Sequence, residues 1–180
     1  MGRTQYYVAS SIDGFLADDD GGLAWLLQFE GFEGQAERYQ EFLSGVGAVI
    51  MGADTYRFLL EEQPEDWAYP GLPTWVFSHR ELAGYPGEDI RFVQGSPEEV
   101  HAQAVREAGE RNVWMVGGGK LAAQFQQAGL LDELLLTIVP VLLGSGRRLL
   151  PDSPLREPLK LLSQRTFGKG VIELNYQLRR

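Results

Sequence analysis

The chain contains an apolar run, Val113 to Val116, that ends in three consecutive glycines and is followed at once by a helical pattern from Lys120. This order predicts a β-strand, a turn of bare backbone and the N-terminus of an α-helix. A bulky anion can approach backbone that carries no side chains, and the first turn of a helix offers unpaired N–H groups and a positive dipole end. The segment therefore predicts a phosphate or pyrophosphate site, although a tight turn that needs glycine only for packing explains the same letters.

Strand and helix patterns alternate along the rest of the chain. Strands are predicted at residues 5–10, 46–51, 74–78, 90–93 and 133–139, helices at 34–44, 54–60, 97–108 and 120–128, and a closing hairpin at 159–167 and 171–178. We expect an α/β fold in one domain spanning residues 1–180, with a mixed, mainly parallel sheet flanked by helices and an antiparallel C-terminal β-hairpin.

Composition excludes several classes of function. The net charge is −9 and Lys and Arg do not cluster, so nucleic acid is not an expected partner, since phosphate neutralisation needs a basic face. The chain has no cysteine, which excludes disulfides and thiolate metal sites, and no metal site is predicted. Neither a signal peptide nor an apolar stretch of membrane-spanning length is visible, so we expect a cytoplasmic protein without a membrane partner.

Two further strand ends carry chemistry that suits an anion. The strand at 46–51 runs into Gly52 and a helix start, and the strand at 74–78 ends in Ser78, His79 and Arg80. Ligands of open α/β sheets bind beyond the carboxyl ends of the strands, so three such ends predict one extended dinucleotide. For the second of these segments alone, a solvated turn explains the residues equally well.

The glycine turn is not interpreted as a Rossmann motif. Gly117, Gly119 and Ala122 match the pattern G-x-G-x-x-A, but no acidic residue ends the next strand, where a ribose-binding carboxylate is expected. Too little sequence follows the motif for a second mononucleotide-binding half.

Five segments carry a resemblance to a known family, namely ASSIDGFLA, VIMGADTY, TWVFSHREL, VGGGKLAAQF and DELLLTIVPVLLGSG. Their order resembles the dihydrofolate reductase superfamily, most closely the branch with the reductase domain of bifunctional riboflavin-biosynthesis proteins (RibD C-terminal-like). The resemblance implies an NADPH-dependent reductase that transfers hydride to a C=N or C=O carbon of a pterin- or pyrimidine-like small molecule. The implied activity resembles that of 5-amino-6-(5-phosphoribosylamino)uracil reductase and of dihydrofolate reductase.

The resemblance also implies which residues would meet NADPH. They are Ser10 and Ala17 along the nicotinamide; Gly52, Ala53 and Thr55 beside the pyrophosphate and adenosine; Ser78, His79 and Arg80 at the 2′-phosphate; and Gly117, Gly118, Gly119, Lys120 and Leu121 around the pyrophosphate.

Two residues are candidates for the chemistry itself. Asp13 matches the Asp of the Ile-Asp-Gly loop in the riboflavin-type relatives, where it would orient substrate or relay a proton, although an Asp-Gly turn explains the residue equally well. Thr137 matches the position of a substrate-side hydroxyl in folate reductases, although threonine is also a common strand residue.

Two departures from folate reductases shape the functional hypothesis. Asp54 stands where a basic residue usually faces the cofactor phosphates, which leaves the choice between NADPH and NADH open unless Asp54 caps the helix or Arg57 or Arg80 restores the charge. The predicted inward face of the helix at 34–44 carries no carboxylate for a pterin, because Ala36, Tyr39 and Leu43 fall there and the glutamates fall outside. Dihydrofolate is therefore disfavoured, and a non-catalytic, degenerate nucleotide-binding protein is the alternative.

Assembly is also predicted from the resemblance. Relatives commonly dimerise near the closing hairpin, and residues 139–143 and 171–176 offer apolar surface there. We expect a homodimer.

Overall fold

A computed structural model describes residues 2–179 of the chain. Its strands, numbered in chain order, are β1 Thr4–Ser11, β2 Phe15–Ala17, β3 Val46–Gly52, β4 Thr74–Phe77, β5 Ile90–Val93, β6 Asn112–Gly117, β7 Glu133–Val139, β8 Arg147–Arg148, β9 Lys160–Thr166 and β10 Ile172–Gln177. Its α-helices are α1 Ala24–Leu27, α2 Gln35–Ser44, α3 Ala53–Glu62, α4 Pro97–Ala108 and α5 Gly119–Gln127, and one 3₁₀ turn covers Gly168–Gly170.

The main sheet has eight strands in the order β5-β4-β3-β6-β1-β7-β10-β9. Neighbouring strands from β5 to β7 in this order are parallel, and β10 is antiparallel to both β7 and β9. The predicted mixed, mainly parallel α/β fold with a C-terminal hairpin is confirmed. The parallel strands all end at one edge of the sheet, and that edge carries the glycine turns.

Both faces of the sheet are covered, which explains why β3 is apolar at nearly every position. On one face, Tyr6, Ile50 and Met115 pack with α4 and α5. On the other face, an aromatic cluster that includes Trp114 packs with α2 and α3. Since alternate residues of a strand point to opposite faces, Tyr7 lies on the α2 side of β1.

The start of α4 follows its sequence signal. Ser96 caps the helix, its Oγ accepting a hydrogen bond from the backbone N–H of Glu99 at 3.2 Å, and Pro97 is the first helical residue. The side-chain cap replaces a hydrogen bond that the first turn of a helix otherwise lacks.

A small second sheet was not predicted from the sequence. β2 and β8 pair antiparallel, with Ala17 opposite Arg147. Neither strand has an apolar alternation long enough to be recognised, because each is only three or two residues long. This pairing holds the loop after β1 against the segment after β7, beside the carboxyl edge of the main sheet.

None of the helices within residues 2–179 is long and apolar enough to span a membrane.

Candidate functional site

The two predicted glycine turns lie side by side at the carboxyl edge. β3 and β6 are neighbours, with Met51 opposite Gly117, and a cis peptide bond joins Gly117 to Gly118. A Cβ placed on Gly52 would lie 3.7 Å from the backbone nitrogen of Gly118. Residues far apart in the chain thus form one stretch of side-chain-free backbone.

The N-terminus of α5 is open to a ligand. Its capping residue, Gly118, provides no side-chain hydrogen bond, and the first turn contains no acidic residue. A Cβ on Gly118 would meet only the Oγ1 of Thr55, at 3.9 Å, whereas Lys120 in the same turn is exposed. The Leu121 side chain is buried, so this residue would contact a bound phosphate only through its backbone N–H. Free N–H groups, a helix dipole and a lysine together suit a phosphate.

Gly119 has a different part in the same turn. A Cβ there would collide with the carbonyl oxygen of Arg148 and lie 2.9 Å from that of Leu149. This glycine allows α5 to pack against β8, so the packing interpretation of the triplet holds for Gly119 and not for Gly118.

The N-terminus of α3 forms the adjacent wall. Gly52 is its capping residue, followed by Ala53 and, one turn in, Thr55, whose Oγ1 would lie 3.6 Å from a Cβ on Gly117. Asp54 does not cap this helix, contrary to one prediction. It forms an ion pair with Arg57, and a second with Arg147 at 3.5 Å, so its charge is compensated from two sides.

The third strand end lies next to these turns because Phe77 of β4 pairs with Gly52. The Ser78 hydroxyl closes the turn, accepting from the backbone N–H of Arg80 at 3.0 Å and donating to its carbonyl at 2.5 Å. The side chains of His79 and Arg80 are exposed, and Arg80 makes no ion pair within residues 2–179. Among the described residues, Arg80 therefore offers an exposed guanidinium without an ion pair, three residues after the β4 residue that pairs with Gly52.

The residues predicted along the nicotinamide are both buried. Ser10, near the end of β1, is 1% exposed, and its hydroxyl donates to the carbonyl of Ser11 at 3.0 Å. Ala17 is 6% exposed in β2. Both border the same edge, and their contact with a cofactor stays a prediction.

Asp13 holds two loops together. Its carboxylate accepts hydrogen bonds from the Ser11 hydroxyl at 2.6 Å and from the backbone N–H groups of Leu143 at 3.1 Å and Gly144 at 2.7 Å. The Ser11 bond first, and then the two amides, lower the pKa of Asp13 from 3.8 to about 2. An ionised carboxylate has no proton to release near neutral pH, so the geometry favours an anchoring part over a proton relay.

Thr137 belongs to a polar cluster on the α2 side of the sheet. It lies opposite Ala9 of β1 and opposite Glu173 of β10. The Tyr7 hydroxyl donates to Oε2 of Glu173 at 2.8 Å, and Nε of Arg38 donates to Oε1 at 2.7 Å. We call these four residues, Tyr7, Arg38, Thr137 and Glu173, the Arg38–Glu173 cluster.

The pKa shifts within this cluster follow from its geometry. Burial, and then the negative charge of Glu173, raise the pKa of Tyr7, so its hydroxyl stays protonated. Burial alone would lower the pKa of Arg38, but its hydrogen bond and charge pairing with Glu173 outweigh that effect and raise it. Arg38 and Glu173 therefore form an ion pair beside the neutral Tyr7 hydroxyl.

The cluster corrects the predicted inward face of α2. Ala36 is exposed, whereas Phe42 is buried and the Arg38 side chain, one turn earlier, is only 12% exposed. The apolar residues alone predict the inward face, and this pattern gives no position to a buried arginine. The i, i+4 pair of Arg38 and Phe42 was the available signal. The predicted absence of an inward carboxylate holds for α2, but Glu173 supplies a carboxylate to this face from β10.

The family model of the RibD C-terminal domain matches residues 70–173. The chain belongs to the RibD C-terminal domain family. Uncharacterized protein YwjB of Bacillus subtilis (strain 168) is 33% identical over 174 residues, which cover 97% of each chain.

Solved structures of this family share the fold. One, from Shewanella sp. PV-4 and assigned provisionally to riboflavin biosynthesis, has a TM-score of 0.84 at 24% identity and covers 99% of both chains. Another, a diaminohydroxyphosphoribosylaminopyrimidine deaminase/5-amino-6-(5-phosphoribosylamino)uracil reductase from Thermotoga maritima, has a TM-score of 0.68 at 17% identity and covers 98% of this chain and 56% of that one. The predicted dihydrofolate reductase-like, RibD C-terminal-like resemblance is confirmed. Family and fold together support a reductase-like role, that of an oxidoreductase.

Proposed function

We propose that this protein is an NADPH-dependent reductase that transfers hydride to a C=N or C=O carbon of a pterin- or pyrimidine-like small molecule. The observation that carries the proposal is the close approach of Gly52 to Gly117 and Gly118 at the starts of two helices that have no side-chain cap. Relatives add support, since one solved neighbour is described as a uracil reductase and RibD-like reductases typically use a nicotinamide cofactor.

The residues present fit a dinucleotide laid along the carboxyl edge. The bare backbone at Gly117 and Gly118, with the helix start at Gly119, Lys120 and Leu121, would hold the pyrophosphate. Gly52, Ala53 and Thr55 would flank it, and Ser78, His79 and Arg80 would meet the 2′-phosphate. The nicotinamide would then reach the end of β1 near Ser10, with Ala17 at its border.

The bound cofactor would supply the hydride, and the protein would position the acceptor and exclude water. Its Asp13 anchor would hold the loop at Leu143 and Gly144 over the end of β1. The proton for the neighbouring heteroatom would come through an ordered water or the Thr137 hydroxyl, because Asp13 is ionised.

A second function has its own support. The same ionisation of Asp13, together with Asp54 at the start of α3, fits a non-catalytic nucleotide-binding protein. Oxidation of NADPH in the presence of candidate pterins, pyrimidines and quinones separates the two. Cofactor binding without oxidation by any acceptor favours the second function, and no binding at all contradicts both.

Arg80→Ala is expected to lower the preference for NADPH over NADH about tenfold or more. The guanidinium is exposed and makes no ion pair within residues 2–179, so it would contact the 2′-phosphate. Such a charge-assisted bond contributes about 1.5–3 kcal/mol. Fluorescence titration of both cofactors against wild type and variant measures the ratio. Arg106→Ala, which removes an exposed arginine from the last turn of α4, is the matched control for net charge. An unchanged ratio in Arg80→Ala would remove Arg80 from this position.

We also propose a homodimer that forms through the β9 edge. β9 ends the sheet, all seven of its residues are exposed, and Leu161 and Leu162 are 45% and 37% exposed. Unpaired edge strands invite pairing with a second chain. Of the surfaces predicted from the sequence, Val139 and Val171 are buried, so Leu142 and Ile172 are what those segments expose.

Sedimentation at micromolar concentration is expected to give twice the chain mass of 20.1 kDa. Leu161→Glu should shift the protein towards the monomer, because a charge on the edge strand opposes pairing. A wild-type species of 20.1 kDa would contradict the proposal.

A further inference from the structure

The Arg38–Glu173 cluster lies where a ligand can reach it. β1 and β7 are interior strands of the sheet, with neighbours on both sides, yet Tyr7, Ala9 and Thr137 are all partly exposed on the α2 side. At these three residues the elements packed on the α2 side therefore leave part of the sheet exposed. Thr137 is two residues from the end of β7, so it lies about 7 Å along the strand from the edge that would hold the nicotinamide.

The charge of this surface depends on Arg38. Both carboxylate oxygens of Glu173 are engaged, one by Nε of Arg38 and one by the Tyr7 hydroxyl. The Glu173 side chain is 3% exposed and that of Arg38 is 12% exposed, so the pair is shielded from solvent. Glu41, which also contacts Arg38, is 60% exposed and is paired with Arg165 at 3.3 Å on the outer side of α2. A neutral ion pair thus lies beneath the partly exposed surface of Tyr7, Ala9 and Thr137.

A lone carboxylate in this place would do something different. Buried charges need a partner, and a carboxylate without one would take a cationic ligand, such as a protonated amidine-like ring edge. The guanidinium occupies that place within the protein itself. Its own remaining N–H groups are donors only, so they would oppose a cation as well.

We propose that Arg38 is a specificity-determining residue that neutralises Glu173, so that the partly exposed surface of Tyr7, Ala9 and Thr137 excludes cationic heterocycles and accepts uncharged ones. The inference rests on the proposed function, because it takes this surface to be the substrate side of the site. Thr137 complements it. Its side chain is partly exposed, and the oxygen of a threonine hydroxyl can accept a hydrogen bond from a neutral ring N–H.

The test is the binding of 2,4-diaminopyrimidine, a base that pairs with carboxylates in its protonated form. Arg38→Met should bind it roughly 10- to 100-fold more tightly than wild type, the range for one charge-assisted hydrogen bond. Calorimetric titration in two buffers of different ionisation enthalpy should show proton uptake on binding. Arg38→Lys keeps the charge and should behave as wild type, and the double variant Arg38→Met/Glu173→Gln should lose the gain.

Glu173→Gln gives an independent second arm. This variant leaves the Arg38 guanidinium without a carboxylate partner. It should therefore bind the anion pyrimidine-4-carboxylate more tightly than wild type does, and should not bind 2,4-diaminopyrimidine. If a variant is unstable without ligand, thermal unfolding still separates the outcomes, because a ligand that binds the folded state raises its stability. 2,4-Diaminopyrimidine should stabilise Arg38→Met, and pyrimidine-4-carboxylate should stabilise Glu173→Gln, but not the reverse.

Equal diaminopyrimidine affinity in wild type and Arg38→Met, or an undiminished gain in the double variant, would overturn the inference. A purely structural salt bridge would lower the stability of both single variants without changing which ion binds. Titration of NADPH on the same proteins reports on the proposed function separately, because cofactor binding at the glycine turns does not involve Arg38.

Discussion

Gly118→Val is expected to abolish measurable NADPH binding while the protein stays folded. The glycine has φ −83° and ψ 179°, which valine adopts without strain, and the nearest atom to a new Cβ is the Oγ1 of Thr55 at 3.9 Å. The added methyl groups would instead occupy the space of the phosphate. We expect a loss of about 100-fold or more, since at least two bonds to a charged phosphate, each about 1.5–3 kcal/mol, would be displaced.

Two other glycines are the matched controls for this variant. Gly84→Val adds the same side chain at an exposed position with open space and should leave affinity unchanged. Gly119→Ala should lower thermal stability instead, because even a Cβ collides with the backbone of β8. Nicotinamide fluorescence and thermal unfolding measure the two effects. Wild-type affinity in folded Gly118→Val would place the pyrophosphate elsewhere.

Asp13→Asn is expected to lower turnover by about 100-fold with NADPH affinity and fold retained. Both carboxylate oxygens accept backbone N–H groups, so an amide would turn an N–H against either Leu143 or Gly144 and release that loop. A displacement of about 1 Å at a reacting centre can cost on the order of 10² in rate. If Asp13 relayed the proton itself, the loss would span roughly 10²–10⁴.

The two parts assigned to Asp13 have different controls. Ser11→Ala removes one hydrogen bond to Asp13 and leaves the carboxylate, so it should reproduce part of the defect only if anchoring is the cause. Because the pKa of Asp13 falls from 3.8 to about 2, the anchor adds to stability above about pH 4 and is lost as the pH falls towards 2. If turnover of the wild type changes with pH near neutrality, and this pH dependence is absent from Asp13→Asn, Asp13 would be assigned the proton-relay role instead.

Local signals predicted most of the secondary structure. Near-continuous apolar runs identified β3 and β7, and the Ser96 cap with Pro97 located the start of α4, because these features act through neighbouring residues. The small β2–β8 sheet was missed because its strands are too short to show a pattern. The order of the strands was not predicted, because it follows from pairing between residues far apart in the chain.

The sequence by itself determined that three strands end in glycine or polar turns, which is a property of consecutive residues. Only the tertiary structure decided that Gly52 and Gly117 share one surface, that Gly118 faces open space, and that Gly119 packs on β8. The tertiary structure also decided which charged side chains are buried and paired. The apolar pattern of α2 does not predict that Arg38 is buried. No local signal predicts its ion pair with Glu173 of β10 either, because the two residues are 135 positions apart and meet only through the packing of α2 on the sheet.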